Sequence, residues 1–230
     1  MEKIIPNLVV AVAAQPKTGK THFGLTFPEP IVVYSFDIGI EPVLARFKDK
    51  KIEVRTYPIP IIDTLHPKPY AREIVSAFRK DFQSDSSSGY KTLMIDTWTL
   101  LYQLYNHARA EELGQEQLLQ FQYGEVYTRM DALILQARVL GINLVLTCYL
   151  KEKYLKNEAT GELVPDGPSH TVGLADVILN MRKETKVFSA TKRQTTFYAI
   201  IEDNRYDPDM DGLELTNPTY GDLISVLGVA

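Results

Sequence analysis

Residues 14–21 read Ala14-Gln15-Pro16-Lys17-Thr18-Gly19-Lys20-Thr21. The apolar run Asn7 to Ala13 (NLVVAVA) precedes them and has the composition of a strand buried on both faces. Thr21 to Thr26 begins a helix, which Pro28 must end. A strand, a short loop and a helix around Gly-Lys-Thr match the phosphate-loop pattern G-x-x-x-x-G-K-[ST] at Gly19, Lys20 and Thr21. The match departs at the first position, where Ala14 replaces glycine; alanine serves there only if its φ stays negative. In this pattern the loop Gln15, Pro16, Lys17, Thr18 and Gly19 turns backbone N–H groups inward onto phosphate oxygens, and the helix adds its positive N-terminal end. Lys20 is expected to reach the β- and γ-phosphates, and the Thr21 hydroxyl to ligate Mg²⁺. His22, the next residue, is expected near the nucleotide.

Working outward, Ile31 to Phe36 is a second buried-type strand closing on Asp37, and Thr92 to Ile95 another, closing on Asp96. An aspartate at a strand end, downstream of such a loop, suits Mg²⁺ binding through water beside Thr21. Its structural alternative is a helix N-cap for 98–113. Ile142 to Leu146 is a further buried strand, followed by Thr147 and Cys148. Ile52 to Tyr57 alternates as a strand does, whereas the prolines at 58, 60, 67 and 69 mark irregular chain. Apolar spacing predicts helices over Tyr70–Phe82, Trp98–Leu113 and Gln117–Leu140. After residue 150 the pattern turns β-rich: a hairpin over Tyr154–Val164, strands at Asp176–Met181 and Thr196–Ile201 joined by a basic stretch, and a closing helix at Tyr220–Leu227.

The chain has 230 residues, 25 Lys plus Arg against 29 Asp plus Glu, 45% hydrophobic and 23% charged residues. Those proportions exclude a disordered chain, a collagen and a coiled coil. The net charge of −4 argues against a protein that coats nucleic acid with its whole surface, so any DNA contact must use a local patch. One such patch is residues 182–193, where Arg182, Lys183, Lys186, Lys192 and Arg193 face only Glu184. Lys151, Lys153 and Lys156 form a second, interleaved with Tyr149 and Tyr154; cations among aromatics suit single-stranded nucleic acid. The acidic balance is concentrated late, with seven carboxylates against Arg205 alone in residues 202–230. The lone Cys148 allows no intrachain disulfide. The N-terminal apolar run is too short for a signal peptide or a membrane span, so no membrane partner and a reducing cytoplasm are expected.

QPKTGKT, then YSFDIG, LMIDTWTLL and NLVLTCYLKEKY, together resemble the RecA-like ATPases over roughly residues 5–205. The likeness is to the small phage-encoded AAA-type ATP-binding proteins related to single-strand annealing recombinases. It implies an α/β fold of the RecA-like P-loop NTPase type: a mainly parallel central sheet flanked by helices, with C-terminal β-hairpins. It implies one domain over 1–230, with a core at about 5–150 and a hairpin-rich part at about 151–230. ATP and Mg²⁺ are the expected cofactors, single-stranded DNA and further copies of the chain in a ring or filament the expected partners, and the host cytoplasm the setting.

The resemblance also implies roles for particular residues. Thr97 follows Asp96 where many NTPases carry a catalytic Glu; RecA-like proteins carry theirs at the end of the second strand, in a pattern close to D-x-E. Here the order is Asp37-Ile38-Gly39-Ile40-Glu41, so Gly39 occupies the glutamate position. Glu41 or Asp37 is then the candidate to position water, and with neither in place the protein binds ATP but turns it over slowly. Thr147 is implied to approach the γ-phosphate from the strand lying between those of the loop and Asp96. Arg193 and Arg205 are the candidates for a cation donated to a neighbouring subunit's site, and Lys151, Lys153, Arg182, Lys183, Lys186 and Lys192 for DNA contact.

Three constellations fail. Asp207-Pro208-Asp209-Met210-Asp211-Gly212 begins like a calcium loop, but its twelfth position is Pro218 instead of a bidentate Glu. The histidines His22, His66, His107 and His170 lack metal-ligand spacing. A small-molecule kinase would need an arginine-rich lid segment, which is not found. The remaining rival to an ATPase is a nucleotide-dependent binding or scaffold module with little turnover.

Overall fold

The computed structural model describes residues 7–58, 70–155, 158–189 and 192–228. Among the described residues, nine strands run in chain order: β1 (Val9–Ala14), β2 (Ile31–Ser35), β3 (Ile52–Thr56), β4 (Thr92–Asp96), β5 (Asn143–Leu155), β6 (Glu158–Asp166), β7 (Val177–Val187), β8 (Arg193–Asn204) and β9 (Glu214–Thr216). The α-helices are α1 (Lys20–Gly24), α2 (Glu41–Leu44), α3 (Ala71–Asp85), α4 (Trp98–Glu112), α5 (Tyr123–Val139), α6 (His170–Leu174) and α7 (Tyr220–Val226). The sheet order is β3-β2-β4-β5-β1-β7-β8-β9, with β6 paired to β5.

Strands β3, β2, β4, β5, β1 and β7 are mutually parallel; β8, β9 and β6 pair antiparallel. Parallel strands need covered faces, and their side chains alternate between two cores. Val9, Ala11, Leu93, Ile95, Leu144 and Leu146 pack with Phe78, Trp98, Leu101, Met130 and Ile134 of α3, α4 and α5. Val10, Val12, Val33, Met94 and Val145 pack instead with Phe23, Phe27, Leu223 and Ile224, from α1, the chain just after it and α7. Each such buried side chain contributes about 2 kcal/mol of apolar transfer.

Strands β5, β7 and β8 are longer than their sequence pattern indicates. Ala14, the last residue of β1, pairs with Met181, yet β7 continues to Val187. Ala13 pairs with Cys148, yet β5 continues to Leu155. The basic stretch expected as a connection is thus the arms of one hairpin, Arg182 opposite Tyr198 and Val187 opposite Arg193. Both ribbons overhang the carboxyl end of the parallel sheet. The helix expected over 117–140 also divides: a 3-10 turn at Gln120–Gln122 precedes α5. The strand carrying Thr147 does lie between those of the loop and Asp96. Among the described residues, no helix is long and apolar enough to cross a membrane.

Candidate functional site

In open parallel sheets, ligands sit beyond the carboxyl ends of the strands. There β1 hands over to the loop Gln15–Gly19, which enters α1. Ala14 stays in the strand, fully buried and paired with Met181; it is not among the left-handed residues, so alanine fits. The turn is made instead by Lys17 at φ 63° and Gly19 at φ 94°. The Thr18 hydroxyl donates to the Gln15 carbonyl at 2.6 Å, closing the loop on itself. No side chain caps the N-terminus of α1, so its first amides remain available to an anion.

Lys20 is 7% exposed, and its Nζ donates to the carbonyls of Ala14 at 2.9 Å and Gln15 at 3.1 Å. Burial lowers its pKa, opposed by the Asp96 carboxylate. Gly19 is needed for a second reason beyond its φ: a Cβ there would lie 3.0 Å from the Phe197 ring of β8.

Asp96 ends β4 in register with Thr147 of β5 and Ser35 of β2. Its carboxylate accepts from the Thr21 hydroxyl at 2.9 Å and the Thr147 hydroxyl at 2.5 Å. Burial raises its pKa, and the two hydroxyls oppose that shift. The N-cap alternative falls to the next residue, because Thr97, and not Asp96, accepts from Leu100 N at the start of α4. Thr147 is fully buried behind Asp96, so it orients that carboxylate and does not reach the cavity.

A cavity of about 600 Å³ covers the loop. Its walls include all the loop residues Pro16 to His22, with Asp37, Asp96, Tyr149 and Phe197. The Tyr149 hydroxyl donates to Asp37 Oδ2 at 2.8 Å, and its ring lies 5.2 Å from Lys20 Nζ. Gln15 does not line this cavity, although its carbonyl holds Lys20 and Thr18. His22 does line it, tilted against Phe47 with ring centroids 4.9 Å apart; burial, then the Arg46 charge, lowers its pKa. A smaller apolar annex of about 250 Å³, with Phe23, Met181, Phe197 and Pro218 in its walls, adjoins at Gly19 and His22.

Several expected residues are not brought in. Glu41 begins α2 fully on the exposed side; the turn at Gly39, φ 105°, presents Pro42, Val43 and Arg46 to the cavity instead. Arg205 is consumed at the opposite end of the sheet, where its guanidinium donates to the carbonyls of Gly173 and Ala175. Arg193 is exposed at the start of β8, near the far end of the hairpin.

Of the basic residues, Lys151 pairs with Asp166 at 3.1 Å and Lys153 with Glu162 at 2.8 Å. Arg182 pairs with Glu184 and Glu214 and stacks 4.3 Å from the Tyr198 ring. Lys183 Nζ donates to the Lys17 carbonyl at 3.1 Å, tying β7 to the loop. Lys186 is exposed, and Lys192 lies 5.8 Å from the Phe188 ring. Lys156 and His66 lie outside the described residues. Sequence reasoning missed Arg46, Phe197 and the position of Tyr149 over Lys20. In the sequence Tyr149 stands out only as an aromatic among cations; nothing local to Arg46 or Phe197 signals that the fold brings them to the loop.

The donor set suits Mg²⁺ with phosphates. Asp96 is a buried carboxylate that accepts from two hydroxyls and from no cation, beside a threonine hydroxyl. No group of three or more His, Cys, Asp or Glu capable of holding a metal alone occurs among the described residues. Magnesium commonly needs no more than one or two protein ligands, the remainder being water and substrate phosphate.

A family model described as an AAA domain matches residues 6–205. Among solved structures, a KaiC-like protein from the hyperthermophilic archaeon Pyrococcus horikoshii OT3 superimposes with a TM-score of 0.53 at 14% identity, covering 92% of this chain and 85% of that one. No curated protein matches the chain.

Proposed function

The chain belongs to the AAA domain family, and from that premise we propose a Mg²⁺-dependent ATPase that works on single-stranded DNA. Its fold is that of a RecA-like P-loop NTPase: a mainly parallel sheet flanked by helices, with antiparallel strands toward the C-terminus. The observation that carries the reading is the 2.9 Å contact between Thr21 and Asp96 beside the loop.

The loop amides and the N-terminus of α1 hold phosphate oxygens, and Lys20 adds its charge at the β- and γ-phosphates. Thr21 and Asp96 would hold Mg²⁺, which would neutralise phosphate charge there. Thr147 holds Asp96 in place through a 2.5 Å hydrogen bond. Asp37, which lines the cavity, is the carboxylate that orients the attacking water. The apolar annex beside Gly19 takes the base. The two overhanging ribbons flank this cavity. Lys186 and Lys192, with the exposed Phe188, give one face of the β7–β8 ribbon to phosphates and stacked bases. Lys183 projects from the other face, where its contact with Lys17 ties the ribbon to the loop. The resemblance to phage-encoded AAA-type ATP-binding proteins related to single-strand annealing recombinases supports a role in recombination, repair or replication. It also supports one domain per chain, several copies assembled in a ring or filament, and a cytoplasmic setting.

A second reading, a nucleotide-dependent binding module with little turnover, is favoured by one observation: Glu41 lies outside the cavity and Asp37 is engaged by Tyr149. Steady-state phosphate release with and without single-stranded DNA separates the two. DNA-stimulated release that Asp96→Ala abolishes is expected. Tight ATP binding without release in either condition overturns the ATPase reading in favour of the module.

A further inference from the structure

A second cleft, of about 480 Å³, lies between α3 and α5 over α4 and shares no residue with the loop cavity. From α3 it receives Arg72, Arg79 and Lys80, at spacings that place all three on one helix face. From α5 it receives Arg129. Glu112 is the one carboxylate in its walls, and that group is already held by Arg109 at 2.9 Å and Arg129 at 2.7 Å. Arg72, Arg79 and Lys80 have no carboxylate partner among the described residues. Their side chains therefore bring three uncompensated positive charges to one concave surface.

The floor of the cleft is apolar, formed by Val75, Phe82, Ala108 and Leu133. Beneath it, on α4, lies Tyr105, 1% exposed, whose hydroxyl has no hydrogen-bond partner. That phenol senses the guanidinium groups of Arg79 and Arg129, which oppose the burial that pushes it up to about 12. Arg79 stands on the α3 wall of the cleft and Arg129 on the α5 wall. Arginine forks match phosphate oxygens, and an apolar floor takes a flat ring. The volume is that of a small-molecule site.

We propose that this cleft is a second anion site, which binds a nucleoside polyphosphate with its phosphates on Arg72, Arg79 and Lys80 and its ring on the apolar floor. The site does not depend on the phosphate loop.

The test uses the full chain carrying Lys20→Ala, which disables the loop, titrated calorimetrically with ATP and with inorganic tripolyphosphate. One saturable site is expected to survive Lys20→Ala. Adding Arg79→Gln and Lys80→Gln should weaken it at least tenfold, while the melting temperature and far-UV spectrum of the triple variant stay unchanged. Arg72→Gln should act in the same direction as an independent check. Loss of all binding on Lys20→Ala alone overturns the proposal, as does affinity that ignores the cleft substitutions. Binding of a twenty-nucleotide oligonucleotide but of neither small probe also overturns it. Wild-type affinity that ignores Lys20→Ala would instead count against the loop as the nucleotide site and leave the cleft standing.

Discussion

The Tyr149 hydroxyl donates a 2.8 Å hydrogen bond to Asp37 Oδ2, joining the middle of β5 to the chain just after β2 beside the phosphate loop. The same ring lies 5.2 Å from Lys20 Nζ. One side chain thus restrains a carboxylate of the cavity wall and stands over the loop lysine.

Tyr149→Phe keeps the ring and removes the tether. With Asp37 freed to orient water, ATP turnover should rise severalfold with KM within twofold of wild type. Asp37→Asn should lower turnover at least tenfold. Because the hydrogen bond is exposed, the stability cost of Tyr149→Phe should stay under about 1 kcal/mol. Steady-state kinetics on both variants decide the matter: a Tyr149→Phe loss as deep as that of Asp37→Asn would make the hydroxyl itself part of the reaction.

The Asp96 carboxyl has its pKa raised by burial, so the folded chain holds that proton more tightly than the unfolded chain does. The sign follows directly. Below the ordinary carboxylate range both states are protonated and the group costs nothing. As pH rises through that range the unfolded state ionises first, and stability falls until the folded pKa is passed. In nucleotide-free, Mg²⁺-free protein, Asp96→Asn should therefore raise the melting temperature by at least about 2 °C at pH 8. The gain should shrink towards zero as pH falls below the ordinary carboxylate range. Mg²⁺-dependent ATP binding should weaken in the same acid direction. A melting-temperature difference that does not vary with pH would remove the carboxyl's burial as the cause.

Gly19 combines φ 94° with a Phe197 ring 3.0 Å from where a Cβ would stand. Gly19→Ala should therefore strain the loop and shift Phe197. We expect a loss of about 1–3 kcal/mol in stability and at least a tenfold loss in ATP affinity. The double variant Gly19→Ala, Phe197→Ala relieves the contact but not the φ. It should recover part of the stability and little of the affinity. Full recovery of both would place the whole requirement for glycine in the Phe197 contact. Chemical denaturation and ATP titration separate these outcomes.

Much of this arrangement is legible in the chain itself. Gly19-Lys20-Thr21 after an apolar run specifies a strand, a loop and a helix start. Asp96 at the end of a second such run specifies where a carboxylate must emerge. These are local properties: φ at a glycine, a missing donor at a proline and the alternation of a strand act over a few residues. Tertiary structure alone decided which side chains meet at the loop. Thr147 and Tyr149 lie on one face of β5, two residues apart, a step of roughly 7 Å. That step separates a buried partner of Asp96 from a ring over Lys20, and only the register of β5 against β4 says which is which. Glu41 and Asp37 are equally available as carboxylates in the sequence, but the chain's turn at Gly39 leaves one on the cavity wall and the other outside it. Phe197 and Lys183 come to the loop because β7 pairs with β1 and overhangs it. The Tyr149–Asp37 and Lys183–Lys17 contacts join residues 112 and 166 positions apart, and no local preference encodes them.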